Sequence, residues 1–269
     1  MKNNRPVPIA IYINKIPRLF EEFIDLAGRN IIMEKGLSKK HKFSSAVNFY
    51  FKNKDKNWHE VEVPKFVIDA VNEIGNFVFL KSVLLSSSRG KPIKALLRAK
   101  AIGTFSVEAM IASHYVRRGF LIRWLSVFSK DPPDLVIYDP SNKIAVDVEV
   151  KIKEGNVSVE TMFDSLSRGL QSLKRRDSKS NERAIVVIHN SDDLHWVEWL
   201  RDPDVTKRLI SRLENDEYKI VSGIVFSGGE LVINEKDGGQ QYHTKFVAFR
   251  SNAATCQLPK RFLTGSGNI

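Results

Sequence analysis

Cysteine is almost absent from this chain, with Cys256 the single example among 269 residues. One thiol excludes an intrachain disulfide framework and a zinc site built from several cysteines. Long apolar runs are absent too, since no stretch approaches the roughly eighteen uncharged residues of a membrane-spanning helix. The basic start MKNNRPVPIAIYINK has no long apolar segment and no small-residue cleavage site, so we expect no secretory signal. These absences predict a cytoplasmic protein without a membrane partner.

Acidic residues are outnumbered by basic ones, since 42 Lys and Arg face 31 Asp and Glu and leave a formal net charge of +11. A field of that sign attracts polyanions, with an affinity that falls as the salt concentration rises. Many soluble proteins are basic, however, so the charge raises nucleic acid as a partner without establishing it. The length allows one large domain or two small ones.

Residues 1–92 form a predicted N-terminal α+β unit that carries no chemical motif. An amphipathic period over 19–26 and a second one over 66–74 predict helices, while alternation over 45–63 predicts strands. The stretch SSSRGKP at 86–92 is the predicted linker. Substrate recognition, dimerisation and binding of a protein partner are all open as roles for this unit.

Residues 93–250 show a regular order of elements and form the second predicted domain. Helices are predicted at 93–101, 104–118 and 157–177, and strands at 120–128, 134–138, 144–152 and 184–189. The first three strands are expected to pair as an antiparallel meander, and the third helix to cross over to the fourth strand of the same sheet. A helical region broken at Pro203 is predicted at 194–215, followed by strands at 221–226, 230–234 and 244–249. Residues 251–269 are predicted to be a polar C-terminal tail.

Two of the predicted strands carry acidic residues where a metal could bind, in the stretch PDLVIYDPSNKIAVDVEVK. Side chains alternate between the two faces of a strand, so Asp147, Glu149 and Lys151 share the face opposite the valines. Asp134 begins the neighbouring strand, roughly 4.8 Å away, and lies beside Glu149 if the register allows it. Carboxylates that meet repel each other unless a cation lies between them, and hard oxygen ligands suit Mg²⁺ or Mn²⁺.

A metal in this position would polarise a phosphate and lower the pKa of a bound water, and Lys151 could orient that water or neutralise developing charge. The alternative is a solvated strand face, on which Asp, Glu and Lys are common neighbours. The pattern (D/E)-x-K occurs three times in the chain, but only at Glu149 does it lie in an alternating apolar strand that follows an Asp-bearing strand.

With this order of elements, the residues resemble the PD-(D/E)xK nuclease superfamily. Nine residues stand in an order similar to the motif residues of Holliday-junction resolvases of the Hjc type. They are Gly103, Glu108, Gly119, Phe120, Arg123, Pro133, Asp134, Glu149 and Lys151. The resemblance covers residues 103–190, whereas such resolvases lack the long flanking segments of this chain. It implies an α/β fold with a restriction-endonuclease-like α-β-β-β-α-β core and a mixed central sheet, extended at both ends.

The resemblance also implies roles for four residues. Asp134 and Glu149 would bind Mg²⁺, for which Mn²⁺ could substitute, and Lys151 would assist the attacking water. Glu108, on the helix before the strands, would support the metal site; the alternative is a surface acid of that helix. Together the four residues form the predicted catalytic set.

Basic residues near this motif are candidates for contacts with phosphates. They are Arg123 in the first strand, and Arg168, Lys174, Arg175 and Arg176 on and after the following helix. The alternative for each is a solvated charged face.

The expected function is a Mg²⁺-dependent endonuclease acting on nucleic acid, with DNA as the expected polymer, in defence, mobile elements, or repair and recombination. A homodimer would bring two sites to the two strands of a duplex. The competing hypothesis is a basic nucleic-acid-binding or partner-recruiting subunit that keeps the fold without turnover.

Overall fold

The chain has an α/β fold with two compact units. The computed structural model describes residues 9–10, 15–27, 42–80, 102–124, 133–153, 157–174, 183–190, 195–215, 218–233 and 240–263. We call the described residues of Ile9–Arg118 and Leu231–Tyr242 the helical unit, and those of Gly119–Glu230 and His243–Ile269 the sheet unit. The predicted linker 86–92 and the predicted helix 93–101 lie outside the described residues. No helix in the described part of the chain is long and apolar enough to cross a membrane.

The helical unit consists mainly of four helices. They are α1 (Ile16–Ala27), α2 (Lys42–Asn53), α3 (Lys65–Phe79) and α4 (Ile102–Val116), and the short strand β1 (Ile9–Ala10) precedes them. Aromatic rings fill the core: Phe20 stacks on Tyr50 with ring centroids 4.9 Å apart, and Phe77 meets Phe105 at 5.2 Å. β1 pairs antiparallel with residues 241–242 of a later strand.

The strands predicted at 45–63 are wrong, because residues 42–53 form helix α2. Ala46, Val47 and Tyr50 are buried. They stand at positions i, i+1 and i+4, which lie on one face of a helix. A short alternation of apolar and polar residues is also compatible with a strand. Burial of this apolar stripe against the neighbouring helices favours the helix. The predicted α+β unit is therefore chiefly helical in its described part.

Helix α4 belongs to the helical unit, where it packs against α3. The Ser113 hydroxyl donates to the backbone oxygen of Asn76 on α3 at 3.4 Å, next to the contact of Phe77 with Phe105. Buried residues lie all round α4, so the helix is a central element of this unit. The compact units meet between Arg118 and Gly119, and the boundary predicted at residue 92 stays a prediction, since it lies outside the described residues.

The sheet unit is built on a mixed sheet with helices packed against it. Its strands are β2 (Leu121–Arg123), β3 (Leu135–Asp139), β4 (Ile144–Lys153), β5 (Ala184–Asn190), β6 (Val221–Ile233) and β7 (Gln240–Arg250), of which β6 and β7 extend into the helical unit. Its helices are α5 (Val159–Lys174), a 3₁₀ helix (His195–Arg201), α6 (Pro203–Leu213) and α7 (Lys260–Leu263). The strand order is β1-β7-β6-β5-β4-β3-β2.

The pairing directions confirm the predicted meander and crossover. β2 and β4 both pair antiparallel with β3, and α5 then leads to β5, which lies parallel to β4. β6 is a second parallel neighbour of β5. Every residue of β5 is buried, as expected for a central strand of a sheet covered on both faces.

Helices α5 and α6 cover one face of this sheet. Their apolar stripes join the side chains of β5 and β6 in one core that includes Met162, Phe163, Leu166, Leu170, Val205, Leu209, Val186, Ile188, Ile224 and Phe226. In the register of the parallel pair, Glu149 lies opposite Val186 and Lys151 opposite Ile188. Residues paired in adjacent strands point to the same side, so the acids of β4 face the helix side of the sheet.

Two expectations for the C-terminal part are wrong. The strands predicted at 221–226 and 230–234 form one strand, β6, which continues through Gly228 and Gly229. The polar tail predicted from residue 251 folds onto the sheet unit as far as residue 263, with Leu258 and Phe262 buried. These few apolar side chains, widely spaced in a polar segment, gave a weak local signal but bury well against the sheet.

Candidate active site

Asp134 directly precedes β3, where the chain enters the sheet after the buried Pro133. Leu135 pairs with Val148 on β4, and extending this antiparallel register by one residue places Asp134 opposite Glu149. The Asp134 carboxylate confirms this position, because its Oδ2 atom accepts a hydrogen bond from the backbone N–H of Val150 at 2.8 Å. The register that the sequence left open therefore brings the two acids onto neighbouring positions, where side chains lie close together.

The acidic face of β4 is buried, which contradicts its alternative interpretation as a solvated surface. Glu149 is 5% exposed and Asp147 is 3% exposed. Carboxylates are rarely buried to this extent unless a cation, an ion pair or hydrogen bonds compensate for the lost hydration. The burial follows from helix α5, which packs over β4 and β5 on this side.

Lys151 supplies a positive charge next to Glu149. Its Nζ atom donates to Glu149 Oε1 at 2.7 Å and to the hydroxyl of Ser172, on helix α5, at 3.3 Å. The lysine side chain is 26% exposed, so the ammonium lies at the boundary between the buried acid and solvent.

Asp139, at the other end of β3, has a structural role that separates it from this group. Its carboxylate accepts from the N–H of Ser141, from Asn142 Nδ2 and from Arg261 Nη1 at 3.0, 2.7 and 3.1 Å. Burial acts to raise the pKa of the Asp139 carboxyl. Hydrogen bonds from Asn142 and Ser141, with the charge of Arg261, outweigh it and hold the pKa below its ordinary value. Arg261 also lies over the ring of Phe120, so this acid joins helix α7 to the β3–β4 turn.

Glu108 is completely buried on helix α4, so its alternative interpretation as a surface acid is wrong. It belongs to the helical unit, whereas Asp134, Glu149 and Lys151 belong to the sheet unit. Support of the metal site by Glu108 therefore stays a prediction.

Two of the predicted phosphate contacts lie on described, exposed surface. Arg168 is exposed on α5 and precedes Ser172 by one helical turn, so it lies on the side of the helix that reaches Lys151. Arg123 is exposed on β2, opposite Val136 of β3. The side chain of Lys174, together with Arg175 and Arg176, lies outside the described residues.

The donor set fits Mg²⁺ or Mn²⁺. Both are hard cations, and Mg²⁺ typically binds through one or two carboxylates while keeping water and taking substrate phosphate oxygens. Asp134 and Glu149 provide two such carboxylates. Among the described residues no group of three or more His, Cys, Asp and Glu side chains gathers around a point. Further ligands would therefore be water, backbone oxygen or the substrate itself.

Ser172 and Gly169 are the contributors to this site that the sequence did not reveal. Gly169 allows α5 to approach the sheet closely, and a glycine inside an amphipathic helix is a signal that could have marked the contact. Ser172 had no such signal, since a serine on a helix carries no information about a lysine on a distant strand.

A separate pocket with a volume of about 490 Å³ lies in the helical unit between α1 and α2. Carboxylates dominate its charged lining, and the hydroxyl of Tyr50 donates to one of them, Glu21, at 3.3 Å. A surface of this sign repels phosphate, so it does not compete with the strand site as a binding site for nucleic acid.

Comparison of the chain with protein-family models, with curated proteins and with solved structures found no match. The chemistry of the strand site is therefore inferred from its register, burial and contacts.

Proposed function

We propose that the chain is a Mg²⁺-dependent endonuclease of the PD-(D/E)xK superfamily, hydrolysing phosphodiester bonds of nucleic acid, with DNA as the expected polymer. One observation carries the proposal: Asp134 and Glu149 occupy facing positions on neighbouring strands, and Lys151 binds Glu149 on the same buried face. The order α4-β2-β3-β4-α5-β5 is consistent with the restriction-endonuclease-like core of that superfamily.

Each of the three residues has a defined task in such an enzyme. Asp134 and Glu149 would hold the metal, and Mg²⁺ bound there supplies Lewis-acid polarisation of a phosphate and a lowered pKa of bound water. The Lys151 ammonium donates hydrogen bonds to oxygen and neutralises negative charge that develops on the phosphate. Burial of Glu149 strengthens these interactions, because charges attract more strongly where water is excluded.

A cleavage assay tests the proposal. Purified protein is incubated with supercoiled plasmid, single-stranded DNA, a four-way junction and RNA, each with Mg²⁺, Mn²⁺ or EDTA. We expect metal-dependent cutting of at least one substrate. Glu149→Gln and Asp134→Asn, which keep size and remove charge, should each lower the rate by roughly a hundredfold or more, as loss of a key electrostatic contact does.

The matched control is Glu214→Gln, which removes the same charge from an exposed position at the end of α6. It should cut at the rate of the wild type, and circular dichroism should show that all variants are folded. Cutting that persists in clean Glu149→Gln protein would mean that a contaminant or another site does the chemistry, and the proposal would be withdrawn.

A second candidate function is a nucleic-acid-binding or partner-recruiting subunit without turnover. The observation that favours it is the small ligand set: the described residues bring two carboxylates together here, and one of them already binds Lys151. Binding of nucleic acid without metal-dependent cutting of any substrate, by the chain alone or with a partner, would select this function over the first.

A further inference from the structure

Helix α5 lies unusually close to the strands that carry the candidate site. A Cβ atom built on Gly169 would lie 2.6 Å from Cγ1 of Val186, on β5, and 3.6 Å from Cγ of Lys151. Any larger residue would force the helix away from the sheet. The glycine therefore lets the stem of Lys151 lie against the helix, with its ammonium at the level of Ser172, one turn farther along.

The hydrogen bond of Ser172 differs from those of the other serines on this helix. Ser165 donates to the backbone oxygen of Thr161 at 2.8 Å, and Ser167 donates to that of Phe163 at 3.0 Å, which is the usual local contact of a helical serine. Ser167 also accepts from the guanidinium of Arg212, on helix α6 and away from the candidate site. Ser172, by contrast, receives a hydrogen bond from an ammonium that belongs to the neighbouring strand. Its hydroxyl thus binds the side chain of Lys151, a residue of the candidate site.

We propose that Ser172 is a positioning residue for Lys151, holding the ammonium at Glu149 so that it is in place for the reacting phosphate; this rests on the proposed nuclease function. A lysine side chain has four rotatable bonds and, when it is partly exposed, samples many rotamers. Glu149 on one side and Ser172 on the other restrict those rotamers to the ones that place the charge between strand and helix.

The activity test uses the variants Ser172→Ala and Ser172→Thr, with Ser165→Ala as the control on the same helix. Ser172→Ala should lower kcat by about tenfold, the lower end of what loss of one hydrogen bond to a charged group costs, and leave KM unchanged. Ser172→Thr keeps the hydroxyl and should restore kcat to within about threefold of the wild type. Equal kcat for wild type and Ser172→Ala would overturn the proposal.

A double-mutant cycle separates positioning from a general structural role. If Ser172 acts through Lys151, then Ser172→Ala should cause no further loss of kcat in a Lys151→Ala background. A loss of the same size in both backgrounds would show that Ser172 acts elsewhere, and the assignment would be wrong.

Chemical labelling supplies a measurement that does not depend on turnover. Acetylation of Lys151 by acetic anhydride, followed by mass spectrometry without nucleic acid, should be several-fold faster in Ser172→Ala than in the wild type or Ser172→Thr. If the wild type cuts no nucleic acid but labelling follows this order, the nuclease function fails while the contact stands. Equal labelling of all three proteins would overturn the positioning role, whatever the activity.

Discussion

Glu149 and Lys151 form an ion pair whose two members differ in exposure. The carboxylate is buried, and a buried charge loses hydration that only close partners can replace. The ammonium at 2.7 Å replaces part of it, while the Lys151 side chain, at 26% exposure, remains in contact with water. The ammonium of Lys151 therefore offsets part of the cost of burying the Glu149 carboxylate.

His114 is one residue through which pH should act on stability. Its Nε2 atom lies 3.3 Å from Nη1 of Arg118, which can only donate, so the ring nitrogen accepts and the imidazole is neutral. Burial, followed by the charges of Arg118 and Arg117, lowers the pKa of His114 to about 3. Because the unfolded chain binds a proton near pH 6.5 and the folded chain does not, folding stability should fall as pH drops from about 6.5 towards 3.

We expect a loss of up to about 1.4 kcal/mol per pH unit from this residue, measured as the free energy of unfolding in urea at pH 7, 6, 5 and 4. His114→Gln should flatten the slope between pH 6 and 4, whereas the same change at the exposed His59 should leave it as it is. Asp139, whose pKa is also lowered, reduces the free energy of unfolding chiefly below about pH 4. It therefore contributes little to the slope between pH 6 and 4. An unchanged slope in His114→Gln would show that other groups carry the pH dependence.

Helices α3 and α5 each contain a glycine, and the two should respond in opposite directions to replacement by alanine. Nothing lies within 4 Å of a Cβ built on Gly75 of α3, whereas one on Gly169 of α5 would collide with Val186. Gly75→Ala should raise the free energy of unfolding by about 0.5–1 kcal/mol through helix propensity. Gly169→Ala should lower it by about 1–3 kcal/mol through overpacking.

Urea unfolding of both variants at pH 7 measures these effects. The pair Gly169→Ala and Val186→Ala should be less destabilising together than the sum of the two changes, because the smaller Val186 side chain makes room for the new methyl group. A Gly169→Ala variant as stable as Gly75→Ala would contradict the close approach of α5 to the sheet.

The elements of the sheet unit could be predicted because their periods are local. The strict alternation of residues 144–152 and the apolar stripe of 157–177 led to strand and helix within a few residues of β4 and α5. Helix α2 could not be predicted in the same way. Its apolar residues fit both the helical and the strand period over a short window, so tertiary contacts of Tyr50 and its neighbours decide between the two structures.

The charge of the whole chain leads to a prediction about binding. A protein with a net charge of +11 that neutralises phosphates releases counterions, so the affinity for duplex DNA should fall log-linearly with salt. Arg168→Gln, next to the site, should weaken binding and reduce that slope by about one. Arg201→Gln should leave the slope unchanged, because this arginine is exposed on the 3₁₀ helix and pairs with Glu198 at 2.8 Å.

Fluorescence anisotropy of a labelled duplex, measured in EDTA between low and moderate salt, gives the slopes. Identical slopes for the wild type, Arg168→Gln and Arg201→Gln would place the phosphate contacts elsewhere on the chain. Binding independent of salt would remove nucleic acid as the partner that the charge suggests.

The sequence alone was sufficient for the α/β class, the order of elements from α4 to β5 and the common face of Glu149 and Lys151. Each of these follows from backbone geometry over a few residues, which repeats every two residues in a strand and every 3.6 in a helix. The acids were visible in the sequence, but their register was not, because a shift by one residue would have turned Asp134 to the other face.

Tertiary structure alone decided the burial of the acidic face, the membership of α4 in the helical unit and the contact of Ser172 with Lys151. Each depends on which surface lies opposite a residue, and that surface comes from a distant part of the chain. Glu149 shows the difference clearly, since its place on β4 follows from alternation while its burial depends on how closely Gly169 lets α5 approach.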